Sequence, residues 1–243
     1  MSAEAAVAPV LQLEDVHAAY GAFRALFGVS LEVGAGEAVA LVGANGVGKT
    51  TVARVASGLV VPTAGRVRVA GVDRTGQAAH RFARAGVAHA PEGRSVFATL
   101  TVEENLALSI RQVRGRRGVA EGLASAYELF PRLAERRHQA AGTLSGGEQR
   151  MLSMARVLVD APKVLIADEL SLGLAPLVVT EVYGALRRLA DTGTALLVIE
   201  QQVAHALDLC DRVVLLDHGG VVWTGPSEDA AAELRTHLVG GPS

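Results

Sequence analysis

Cysteine is nearly missing from this chain of 243 residues: Cys210 is the only one. An internal disulfide and a cysteine zinc cluster are thereby excluded, and a lone thiol reads as apolar filler suited to a reducing compartment. An excess of charge of one sign is missing too. The 23 Lys and Arg against 25 Asp and Glu leave a formal net charge of −2, so no overall basic field exists to hold nucleic acid. No stretch approaches the roughly 18 uncharged apolar residues of a membrane helix; the best candidates, 38–44 and 172–179, are short and broken by glycine or proline. Residues 1–10 have neither a basic cluster nor a long apolar segment; they do not read as a secretory signal, and the chain is expected to stay where it is made. Lysine is scarce as well, with Lys49 and Lys163 set against 21 arginines. What the chain does have is apolar material: half of its residues are hydrophobic and a fifth charged, enough for a sizeable core and against extensive disorder. At roughly 150 residues per domain, the length suits one large domain with an insertion as well as two small ones.

Apolar runs rich in β-branched residues recur at 38–42, 164–167, 195–199 and 213–216, bounded by Gly, Pro, Asp or Glu. Several are nearly continuous, the pattern of strands buried on both faces. Helical stretches lie between them. Residues 176–189 place Leu177, Val178, Val182, Leu186 and Leu189 mostly on one stripe, and 203–209 follows a strand directly. This alternation predicts a parallel α/β sheet covered by helices. Short period-2 patterns at 11–16, 31–33 and 66–69, separated by glycine-bearing turns, predict an antiparallel β layer attached to that core. From about 93 to 159 strand signals are sparse and helical ones occupy 102–110, 119–130 and 149–158, so this stretch reads as a helical insertion. The domain plan is a tail at 1–9 and one domain at 10–240, with its core at about 10–92 and 160–240 and a helical subdomain at about 93–159. Residues 111–118, with four arginines and two glycines, read as an exposed turn, and Trp223 as a packing residue in a late strand.

Gly43-Ala44-Asn45-Gly46-Val47-Gly48-Lys49-Thr50 fits G-x-x-x-x-G-K-[ST] and stands between the strand 38–42 and a helical stretch beginning at Thr51. The glycines let backbone N–H groups converge, and the helix start adds positive potential, so the loop is a preformed cradle for a polyphosphate. From the composition, roughly 0.002 accidental matches are expected in such a chain. That one of only two lysines stands here also has a physical reason: a compact ammonium fits beside β- and γ-phosphates where a planar guanidinium does not. The run 164–167 ends in Asp168-Glu169. An Asp there helps hold Mg2+ through its water shell, Thr50 offers the metal a direct hydroxyl, and Glu169 can take a proton from an attacking water.

Leu144-Ser145-Gly146-Gly147-Glu148-Gln149 opens the helical 150–158, with Ser145 poised to cap it, 96 residues after Lys49. Here the sequence resembles the ATP-binding cassette (ABC) ATPases, whose signature motif is LSGGQ, over roughly residues 10–240. The resemblance implies a P-loop NTPase fold: a RecA-like parallel core sheet, an N-terminal antiparallel β layer and a helical insertion subdomain. It implies that Mg-ATP lies on Gly43–Thr51 of one subunit and is closed over by Ser145, Gly146, Gly147 and Glu148 of another. Tyr20 matches the aromatic that stacks on adenine, and 171–174 the loop crossing the dimer interface. Lys49, Glu169 and Gln201 form the implied catalytic set, although most members have histidine where Gln201 stands and glutamine where Glu92 stands. Thr50, Asp168 and Glu92 would surround the magnesium. Glutamine cannot become cationic, Glu92 adds a carboxylate that needs compensation from the cation or Arg94, and Leu170 replaces the usual proline. Hydrolysis is therefore expected to be slower than in members with the full set.

The segments 91–97, 100–106, 129–133, 141–149, 171–176 and 200–201 together resemble one subgroup, the second ATPase subunit of bacterial branched-chain amino-acid importers. That resemblance implies a second ABC ATPase as partner in a hetero- or homodimer, two membrane-spanning permeases, a solute-binding protein, no nucleic acid, and a peripheral place on the cytoplasmic face of the plasma membrane. Related urea or amide importers and a non-transport cassette in DNA repair or translation are the alternatives. The latter usually carries a coiled coil or two cassettes per chain.

Overall fold

A computed structural model describes residues 9–91, 93, 95–158, 162–201 and 203–238. In chain order the elements are β1 (Pro9–Tyr20), β2 (Phe23–Gly34), β3 (Ala38–Val42), α1 (Lys49–Ala56), β4 (Ala64–Val69), β5 (Val72–Asp73), α2 (Ala79–Arg84), β6 (Val87–Ala90), α3 (Val102–Arg114), α4 (Val119–Leu129), α5 (Pro131–Glu135), α6 (Gly146–Leu158), β7 (Val164–Asp168), α7 (Pro176–Asp191), β8 (Ala195–Glu200), α8 (Val203–Leu209), β9 (Arg212–Asp217), β10 (Gly220–Pro226) and α9 (Ser227–Leu238). They form two compact units: residues up to His89 with Lys163–Glu169 and the chain from Ala190 onward, and Ala90–Pro162 with Leu170–Leu189.

The first unit carries two sheets. One is antiparallel, in the order β2-β1-β4-β5; the other runs β10-β9-β3-β8-β7-β6. Every residue of β3, β7 and β8 is buried, as continuous apolar runs require of central parallel strands. The second sheet is mixed rather than wholly parallel, because β10 returns on β9 as an antiparallel hairpin through His218-Gly219. Trp223, half-buried in β10, pairs with Leu215 of β9. Strands β1 and β2 are each 12 residues long, far beyond the short patterns in the sequence. Their register shifts between Leu13 and Val16, where Asp15 takes φ +48, so the alternation resets and the two halves of one strand look unrelated. One core ties the sheets of this unit together, with Leu13, Val29, Val39, Leu41, Val52, Ile166, Leu197 and Val214 among its buried members. Cys210 is buried and forms no disulfide.

In the second unit, α3 packs on α4 and α6. The start of α3 is fixed by a capping box: Glu104 N–H donates to Thr101 Oγ1 at 3.2 Å, and Thr101 N–H donates to Glu104 Oε2 at 2.8 Å. The buried Asn105 amide ties the preceding loop down, accepting from Phe97 N–H at 2.8 Å and donating to the Phe97 carbonyl at 3.0 Å. The arginine-rich 111–118 stretch is not simply a turn. Its first four residues close α3, where cationic side chains favour the helix C-terminus, and a 3-10 turn at Arg116–Gly118 follows.

Candidate active site

Parallel register builds the floor of the site. Val42 of β3 lies beside Glu200 of β8, and Asp168 of β7 beside Ile199. The phosphate loop, Asp168, Glu169 and Glu200 therefore emerge at one carboxyl edge of the sheet, where open α/β sheets take their ligands. Gly43 starts the loop at φ +158, and a Cβ there would sit 2.3 Å from the Leu216 carbonyl oxygen, so no other residue fits. Ala44, Asn45 and Gly46 are exposed, while Val47 turns its side chain toward the core and anchors the loop. Lys49 opens α1, two residues earlier than the periodicity suggests, because Gly48 at φ +110 is its N-cap.

Lys49 is only 4% exposed. Its ammonium Nζ donates to the carbonyls of Gly43 at 2.8 Å and Ala44 at 2.9 Å, and lies 3.7 Å from Glu169 Oε1. Burial pulls its pKa down, opposed by the negative charges of Glu169, Asp168 and Glu200. Glu200 is a site residue that strand counting passes over: it closes an apolar run like Asp168 does and is equally buried, and that parallel is the signal that could have found it. Thr50 Oγ1 stands 3.5 Å from Asp168 Oδ1, a weak contact between two hard oxygen donors. Glu169 holds a left-handed backbone, φ +47, pinned by its N–H to the Ile199 carbonyl at 2.9 Å. Such a conformation in a residue with a Cβ is typical of functional sites. The next residue, Leu170, is buried.

A cavity of about 170 Å3 in this unit is lined by Tyr20, Phe23, Gly46, Lys49, Thr51 and Glu169. Tyr20 and Phe23 are register partners at the end of the β1–β2 hairpin, and both are exposed, Phe23 by 70%. Phe23 escapes a sequence reading because nothing marks it except its place opposite Tyr20. Gln201 is exposed in the bend after β8. Glu92 and Arg94 lie outside the described residues; on either side, buried Arg150 donates to the Pro91 carbonyl at 2.8 Å and to that of Gly93. Among the described residues, no group of three or more His, Cys, Asp or Glu is placed to hold a metal ion.

The second unit holds the other helix start. Ser145 is exposed and precedes α6, which begins at Gly146, three residues earlier than its periodicity predicts. A capping box explains the difference: Glu148 N–H donates to Ser145 Oγ at 3.3 Å, and Ser145 N–H donates to Glu148 Oε2 at 2.9 Å. Gly147 serves close packing, since a Cβ there would meet Val178 Cγ2 of α7 at 2.8 Å. Glu148, read from the sequence as a nucleotide contact, also has partners within its own unit. Its carboxylate is buried and occupied, one oxygen by Ser145 and the other by Arg136 Nε at 2.6 Å, so the exposed donors here are Ser145 and the helix-start N–H groups.

The ABC transporter family matches residues 26–171. The chain is similar to the high-affinity branched-chain amino acid transport ATP-binding protein BraG of Pseudomonas aeruginosa, 39% identical over 96% of this chain and all of that one. It is also similar to a probable branched-chain amino acid transport ATP-binding protein, LivF, of Archaeoglobus fulgidus, 34% identical over 94% of this chain and 95% of that one. A bacterial ABC transporter cassette solved as a dimer shares the fold, with TM-score 0.81 and 21% identity over 89% of this chain and 98% of the other. A P-loop, an apolar strand ending in Asp-Glu and a capped signature helix, all within one cassette fold, have a single reading: the chain belongs to the ABC transporter family and is an ATP-binding, ATP-hydrolysing transporter subunit.

Proposed function

We propose that this subunit powers import of branched-chain amino acids. The observation that carries the substrate is the end-to-end match to BraG, with LivF in support. Working as one cassette of a pair, with a copy of itself or a related ATPase, it drives two permeases served by a solute-binding protein from the cytoplasmic face of the membrane. No helix among the described residues is long and apolar enough to cross a membrane. The unit that carries β3, α1, β7 and β8 holds the nucleotide, and the unit that carries α6 presents the signature to the nucleotide of the opposite cassette.

In this reading Tyr20 stacks on adenine and the N–H groups of Gly43–Thr51 wrap the phosphates, with Lys49 against the β- and γ-phosphates. Thr50 and Asp168 would hold Mg2+ together with phosphate oxygens and water, a hard-oxygen set in keeping with that ion's small share of protein ligands, and Glu92 is the further carboxylate that the family resemblance assigns to the ion. When bound, the ion neutralises charge on the phosphates. Glu169 takes the proton of a water whose oxygen attacks the γ-phosphorus, while the bond to the bridging oxygen breaks and ADP leaves. Gln201 donates its amide N–H to a γ-phosphate oxygen. Ser145 and the N–H groups of Gly146 and Gly147 grip the γ-phosphate of the facing cassette, so ATP joins the two and hydrolysis releases them.

Uptake of labelled leucine, isoleucine and valine by cells lacking this gene tests the substrate. Loss of all three, restored by the wild-type gene and not by Lys49→Ala, is expected. Normal uptake of the three with loss of urea or amide uptake would move the assignment to that related class.

A further inference from the structure

We propose that Arg136 is a positioning residue that neutralises Glu148, so that a signature helix bearing a carboxylate can still receive the negatively charged γ-phosphate of the facing cassette. The inference rests on the two-cassette reading above and adds a residue and a reason to it. A phosphate-binding helix start works by positive potential. Here the third residue of the helix is Glu148, and its carboxylate, 9% exposed, sits within hydrogen-bond reach of Ser145 N–H at 2.9 Å. Burial raises its pKa, but the hydrogen bonds from Ser145 and the Arg136 charge prevail and hold it below the usual value, so it is ionised at neutral pH. An uncompensated anion there would repel the phosphate that Ser145 is placed to meet.

Arg136 supplies the missing charge. It lies just after α5, its Nε 2.6 Å from Glu148 Oε1, with the guanidinium 44% exposed and its Nη1 donating to Gln139 at 3.1 Å. The same network sets the direction of the Ser145 hydroxyl. Its oxygen accepts from Glu148 N–H at 3.3 Å and its hydroxyl hydrogen-bonds the Glu148 carboxylate, so the side chain placed to meet the phosphate is tied to the charge that Arg136 neutralises. Glutamine could close the same capping box without a charge, so the need for Arg136 is specific to glutamate at position 148.

The test uses the transporter purified with its companion subunits, with Glu169→Gln arresting turnover, and reads the ATP concentration that half-closes the cassettes by energy transfer between labels on the two. Arg136→Met is expected to raise that concentration about tenfold, as for loss of one partly screened charge-assisted contact. ATP affinity of the isolated chain, which reports its own P-loop, is expected to stay unchanged. Adding Glu148→Gln to Arg136→Met is expected to restore closure to within about twofold of the parent, because the charge needing compensation is gone. A double variant as impaired as Arg136→Met overturns the inference, as does an Arg136→Met protein that closes normally. If the parent shows no ATP-driven closure, the two-cassette reading itself fails, a result distinct from either of those.

Discussion

Replacing Glu169 by glutamine is expected to separate ATP binding from ATP turnover, and the structure gives the size of the effect on stability. The change removes one negative charge and keeps shape and an acceptor oxygen. At 3.7 Å from the Lys49 ammonium, a unit charge pair attracts by about 4 kcal/mol at an effective dielectric of about 20. The two side chains are 14% and 3% exposed, so little of that is screened. Desolvation of the pair offsets part of it, and Asp168 and Glu200 still act on Lys49 after the change. A net loss of about 1–3 kcal/mol in the nucleotide-free protein follows, which lowers Tm by several degrees. With Mg-ATP the sign reverses, because the phosphates take over the ammonium and no longer face the Glu169 carboxylate. The ATP-induced rise in Tm is therefore larger in Glu169→Gln than in wild type, while phosphate release in the assembled transporter falls at least about 100-fold, as for loss of a general base. Scanning calorimetry with and without Mg-ATP, beside a phosphate-release assay, measures both. Turnover near the wild-type rate would show that the base is another group; loss of the ATP-induced stabilisation would show that Glu169 holds the nucleotide instead.

The aromatic ledge predicts a split between base and phosphates. Tyr20→Ala, and in the same direction Phe23→Ala, should weaken ATP binding about 3- to 10-fold and leave tripolyphosphate binding unchanged in titration calorimetry; equal losses for both ligands would remove the ledge from the site. His89 predicts a pH effect on stability. Its Nδ1 lies 3.1 Å from Ser57 Oγ, and burial, aided by the Arg54 charge, pushes its pKa down to about 4. The unfolded chain takes up this proton near pH 6.5 and the folded protein only near 4. Stability from this group is therefore full above about pH 6.5, falls by up to about 3 kcal/mol as pH drops to about 4, and then levels off. Urea midpoints for His89→Gln should show that part of the slope missing between pH 6.5 and 4; identical slopes in the two proteins would refute the argument.

What could be read without coordinates was whatever chemistry writes in adjacent residues. The phosphate loop is local, because one chain segment supplies all of its N–H groups, and Ser145 marks a helix start, although its pairing with Glu148 in a capping box emerges only in the structure. The buried runs of β3, β7 and β8 declare themselves because both faces of a central parallel strand must be apolar. The bulge at Asp15 hid most of β1 and β2, since one inserted residue swaps the faces and erases the period. The antiparallel β10 was also out of reach, because a hairpin edge depends on where the sheet ends.

Only the fold decides which distant groups share a field. Glu200 reaches Lys49 through the parallel register of β8 on β3, and Arg136 neutralises Glu148 through the packing of its unit; neither spacing is periodic in the sequence. The amino-acid order by itself determined the glycine-rich loop and helix start proposed to grip phosphate, because such a grip needs consecutive N–H groups. Tertiary structure alone decided how charge is balanced around that grip, because electrostatic energy depends on distance through space and not along the chain.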